Sequence, residues 1–117
     1  MKIQMRGKDI KLDESAQDYI ERRIEYSLGR FSRRISGVTV QVLDLNGPRG
    51  GEDKSCRIEV QLRPSGRVFV KDADAHLSAA VDRAVDRLAR AVARAIEKTR
   101  ATKRASEQSS RRRRASE

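Results

Sequence analysis

The chain has 117 residues and carries 27 Lys and Arg against 17 Asp and Glu, a formal net charge of +10 with a pI near 10.6. This length suits one domain, and with no long Gly/Ser linker or internal repeat we read a folded unit at residues 1–100 followed by a disordered basic tail at 101–117. A lone cysteine, Cys56, excludes an intramolecular disulfide, and MKIQMRGKDIKL has no apolar run long enough for a signal peptide or membrane span, so a cytoplasmic protein is expected.

Residues 2–6 alternate polar and apolar, which predicts a short strand with Ile3 and Met5 on one face. Asp13 or Ser15 can then cap a helix whose inner stripe runs Ala16, Ile20, Ile24, Leu28, Phe31 and on to Ile35. Arg22, Tyr26 and Arg33 fall opposite that stripe, with Arg23, Arg30 and Arg34 flanking it. At Val38 the period changes to two, and Val38, Val40 and Val42 define a second strand. Asn46 to Lys54, with three Gly and a Pro, reads as a mobile and partly basic connection. A third strand follows, with Cys56, Ile58, Val60 and Leu62 alternating against Arg57, Glu59, Gln61 and Arg63. Pro64, Ser65 and Gly66 turn the chain into a fourth strand bearing Val68 and Val70, which makes a hairpin.

The clearest periodicity lies at residues 76–100. Leu77, Val81, Val85, Leu88, Val92 and Ile96 form an apolar stripe, and Arg83, Arg87, Arg90 and Arg94 recur nearly opposite it. Asp86 is within reach of Arg83 and Arg90 on this helix, so internal pairing of the row is expected. The order β-α-β-β-β-α predicts an α+β fold, a four-stranded sheet with two helices packed on one face.

Catalysis finds little support. His76 is the only histidine and has no nucleophile or acid set to join. Asp72 and Asp74 precede the second helix and suit its positive N-terminal end better than a metal ion. Cys56 falls on the core face of its strand, where it acts as a small apolar filler. The segment GPRGGEDKS lacks the Gly-Lys step of a phosphate loop and leads into a strand, so nucleotide binding is rejected. The basic stripe has no bulky apolar neighbours to enter a lipid headgroup region, which argues against a membrane partner. No enzyme activity, cofactor, metal or small-molecule substrate is expected.

What remains is charge. Of the 27 cations 20 are Arg, whose planar fork matches phosphate bidentately, although high-GC codon usage would also enrich it. Arg22, Arg23, Arg30, Arg33 and Arg34 from the first helix and Arg83, Arg87, Arg90 and Arg94 from the second could converge on one outer face and straddle closely spaced phosphates. A solvated, salt-laced helix face is the plainer alternative. Only Tyr26 stands out as a stacking group, so structured RNA fits better than a single strand read by its bases.

On GGEDKSCRIEVQL, the hairpin and AAVDRAVDRLAR, the chain resembles the ribosome hibernation-promoting factor family. That family includes the ribosome-associated inhibitor and was formerly called the sigma-factor modulation proteins. The resemblance spans roughly residues 1–100 and implies a fold similar to double-stranded-RNA-binding domains. It also implies docking on the small ribosomal subunit and its rRNA, where mRNA and tRNAs would lie, with steric inhibition of translation during stationary phase or stress. Carried over by motif, its basic positions fall on Arg22, Arg23, Arg83, Arg87 and Arg90, with Arg94 extending the row and Lys54 and Arg57 at the start of the hairpin. The chain departs from the family at Ser78 or a neighbour in HLSAA, where many members have an aromatic residue. It resembles the short form, without a dimerisation domain, and is expected to be monomeric off the ribosome. A protein-binding module acting on a sigma factor and a general binder of structured RNA are the alternative readings.

Overall fold

The computed structural model describes residues 1–45 and 54–115, the side chains of 102–104 and 106–115 excepted. The connection read as mobile at Asn46 to Lys54 lies, apart from Lys54 itself, outside the described residues.

Seven elements run in the order β1 (Lys2–Lys8), α1 (Glu14–Leu28), a 3-10 segment (Gly29–Arg34), β2 (Ile35–Asp44), β3 (Lys54–Leu62), β4 (Arg67–Asp74) and α2 (Leu77–Ala115). The sheet order is β1-β2-β3-β4, with β1 parallel to β2 and the other pairs antiparallel. Parallel pairing requires a crossover, and α1 supplies it. Asp13 caps α1 by accepting a hydrogen bond from the Ala16 amide at 2.8 Å.

Both helices cover one face of the sheet, as the alternation predicts. Ile3, Met5, Val38, Val40, Val42, Cys56, Ile58, Val60, Val68 and Val70 point toward Ile20, Ile24 and Leu28 of α1 and Ala80, Val81, Ala84, Val85, Leu88, Val92 and Ile96 of α2. This core is almost wholly aliphatic. Full burial of a Leu or Val side chain contributes about 1.5–3 kcal/mol, so the α2 stripe alone anchors that helix firmly.

One expectation is corrected, and two others gain structural detail. First, the α1 stripe does not continue to Ile35: the α-helix ends at Leu28, Gly29–Arg34 winds as 3-10, and Ile35 opens β2. A register shift between Ile35 and Gly37 returns Ile35 to the core side although it lies an odd number of residues from Val38. Second, Asp72 and Asp74 precede α2 as expected, but they lie in β4 and accept from Arg83 and Arg87 of that helix. Third, the backbone of the segment expected as a tail continues α2 from residue 101 to Ala115. From Leu77 to Ala115 the chain has no Gly or Pro and is rich in Ala and Arg, both good helix formers. The last buried core residue of α2 among the described residues is Ile96.

The β3–β4 turn is closed by the Leu62 amide donating to the Gly66 carbonyl at 2.9 Å. Gly66 has φ +115°, a conformation that any side chain would strain.

Candidate nucleic-acid interface

β4 is an edge strand, and α2 leans over it. This placement decides the fate of the first two arginines of the α2 row. Arg83 donates from Nη2 to the Ala73 carbonyl at 2.7 Å and to Asp74 at 2.9 Å, and from Nε to Asp72 at 3.3 Å. Arg87 donates from Nη1 to the Lys71 carbonyl at 2.8 Å and to Asp72 at 3.2 Å. The two guanidinium groups therefore satisfy carbonyls of an open sheet edge, which would otherwise be a template for pairing with another chain. Burial works against the Asp72 charge, but the Ala73 amide and the Arg87 and Arg83 guanidinium groups outweigh it and hold the carboxyl below its usual range. Asp74 is lowered too, first by the His76 amide and then by Arg83.

Farther along α2, Arg90 and Arg94 are exposed and have no carboxylate partner among the described residues. With Arg87, Ala91, Val70 and Phe69 they line a shallow cleft of about 470 Å³ beside β4.

The α1 cations divide similarly. Arg23 is half-buried and crosses to α2, with Nε 3.1 Å from Asp82 and Nη2 3.2 Å from Asp86. The Tyr19 hydroxyl also donates to Asp82, and that bond raises its pKa. The contacts of residue 19 with 82 and of 23 with 82 and 86 show that the helices run in the same direction. They also correct the expected pairing of Asp86, which goes to Arg23 across the helix interface rather than to Arg83 or Arg90. Arg22 is exposed, but lines a cleft with Asp13, Glu14 and Asp18. In the 3-10 segment, Arg30 stacks 4.5 Å over the Phe31 ring and Arg34 donates to the Arg63 carbonyl at 3.0 Å, while Arg33 is exposed.

The two β3 cations are not part of the helical surface. Lys54 pairs with Asp44 at 2.9 Å, at one end of the sheet. Arg57 alternates with the core residues Cys56 and Ile58 and lies on the sheet face away from the helices. Of the eleven candidates, then, Arg30, Arg33, Arg90 and Arg94, with Arg22, are the exposed groups free of ion pairs among the described residues. Arg23, Arg83 and Arg87 are tied into the fold.

Sequence reasoning missed Phe69, 58% exposed on that same open face. Its signal was present, because a residue between Val68 and Val70 must point away from the core. Tyr26 is 88% exposed, as its position opposite the α1 stripe predicts. Ser78 lines a cleft of about 340 Å³ with Tyr19, Leu77 and Val81, at the place where the family resemblance expects an aromatic ring. Cys56 is fully buried, and desolvation pushes its thiol up to about 12, which leaves it unreactive at neutral pH. No cluster of metal-ligating side chains occurs among the described residues, and no described helix is long and apolar enough to cross a membrane.

An open four-stranded sheet backed by two helices is an architecture shared with known proteins. The profile described as sigma 54 modulation protein / S30EA ribosomal protein matches residues 3–100, and the chain belongs to that family. It is similar to the Thermus thermophilus Protein Y N-terminal domain, with 31% identity over 80% of this chain and 98% of that one, at a TM-score of 0.63. A ribosomal subunit interface protein from Coxiella burnetii shares the fold, with a TM-score of 0.70, 16% identity and coverage of 83% and 99% of the two chains. No curated protein sequence is significantly similar to it.

Proposed function

We propose that this chain is a ribosome hibernation factor that acts without catalysis. It binds rRNA of the small ribosomal subunit in the mRNA and tRNA channel and blocks translation by occupying that space. The observation that carries this reading is membership of a family described by a ribosomal protein, over residues 3–100. The charge supports it: a formal +10 favours a polyanionic partner, and Arg side chains on α2 and the 3-10 segment stand clear of carboxylates among the described residues.

Because Arg83 and Arg87 brace the β4 edge, the phosphate-binding role falls first on Arg90 and Arg94, helped by Arg30 and Arg33. Arg90→Glu combined with Arg94→Glu should leave the fold intact and sharply reduce co-sedimentation with small subunits. Raising salt from about 50 to 200 mM should weaken wild-type binding by roughly 10³–10⁵ if some 6–10 phosphates are engaged. Unchanged sedimentation of the double variant, or a flat salt response, would refute the site.

The sigma 54 part of the family description favours a second reading, a module that binds a transcription factor. Nuclease treatment of a pull-down separates the two, since it releases ribosomal material and leaves a protein partner attached.

A further inference from the structure

The sheet face away from the helices carries Lys2, Arg6, Lys8, Arg57, Arg67 and Lys71, against one described carboxylate, Glu59, which pairs with Arg67 at 3.2 Å. These cations are ordered by strand register rather than scattered. Arg6, Gln41, Arg57 and Lys71 sit side by side across β1, β2, β3 and β4 in one row. The next row holds Gln4, Thr39, Glu59 and Phe69, and the one beyond it Lys2, Gly37, Gln61 and Arg67. Phe69 thus lies between Arg67 and Lys71 on its own strand and diagonal to Arg57. The guanidinium of Arg57 has a solvent-shielded Nε with no hydrogen-bond partner. Directly across the strands Phe69 faces Glu59, which is paired with Arg67, and on its other side it lines the cleft beside α2 with Arg87, Arg90 and Arg94, so cations flank the ring along its own strand and around its edge.

An exposed ring on a pleated surface among cations and amide side chains offers what a single-stranded nucleic acid requires. The ring stacks one base, the cations contact phosphates on either side, and Gln4, Gln41 and Gln61 can hydrogen-bond base edges. A duplex would present no unstacked base to it. A protein partner would have to bury a row of like charges. We propose that this open sheet face is a second RNA-binding surface, specific for single-stranded RNA, with Phe69 as the stacking platform and Arg6, Arg57 and Lys71 as the phosphate contacts. It goes beyond the proposed ribosomal role, lies on the opposite side of the sheet from α1, and is tested independently of the ribosome.

The probes are a labelled ten-nucleotide oligouridylate and an A-form RNA duplex of equal length, titrated with the full chain in a fluorescence anisotropy assay. Phe69→Ala should weaken the single strand at least about fivefold and leave duplex affinity unchanged, while Phe69→Tyr restores single-strand binding. The chain has no tryptophan, so Phe69→Trp introduces a unique reporter whose emission should be quenched when the oligonucleotide saturates the protein. Wild-type single-strand affinity in Phe69→Ala, an equal loss for both probes, or Trp emission indifferent to saturating RNA would each overturn the proposal.

Discussion

Asp72 accepts hydrogen bonds from two guanidinium groups and the Ala73 amide, and so joins the β4 edge to α2. Its folded-state pKa is depressed, so its contribution to stability is present above the unfolded carboxylate pKa of about 3.9 and is lost as pH falls through the folded value. The urea midpoint should therefore drop between pH 5 and pH 2.5, and Asp72→Asn should lower it at pH 7 while making that acid dependence shallower. An acid response identical to wild type would show that the cluster does not stabilise the fold. These residues also show where sequence reading reached its limit. The spacing of Arg83 and Arg87 on the outer side of α2 was legible, but their partners come from another element. No periodicity within a helix reveals that two carboxylates of a neighbouring strand will meet them. Arg23 behaves in the same way, since its ion pairs exist only because α1 and α2 lie side by side.

At the scale of elements, the strands and helices followed their hydrophobic periods closely. Val38 to Val42, Cys56 to Leu62 and Val81 to Ile96 bury the residues their alternation or helical spacing selects, and Leu77 is partly buried at the start of α2. The errors came where local spacing was ambiguous. Phe31 and Ile35 continue the α1 stripe arithmetically, but the α-helix stops at Leu28, just before Gly29, a poor helix former, and the bulge in β2 lets Ile35 serve the core from a strand. The α2 backbone runs on to Ala115, past Ile96, the last core residue described on that helix. Ending the chain after Arg100 should leave the thermal midpoint within about a degree of the full chain while weakening binding to RNA most at low salt, since it removes Arg111 to Arg114. A large fall in the midpoint would mean that the extension packs on the domain.

For the whole molecule, the structure redistributes the charge that composition announces. Cations were expected to converge on one helical face. Instead some brace the fold, some project from α2 and the 3-10 segment, and an ordered set covers the open sheet. A body basic on more than one side suits a site enclosed by RNA, as a channel between folded rRNA segments would be, better than a single flat contact. If the domain occupies that channel, mRNA and tRNA cannot share it. The most direct measurement is displacement of fluorescent mRNA and tRNA from purified small subunits by the titrated chain. Stoichiometric release by wild type, lost in the Arg90→Glu, Arg94→Glu variant, is the expected result; stable binding of the protein with mRNA and tRNA still in place would contradict it.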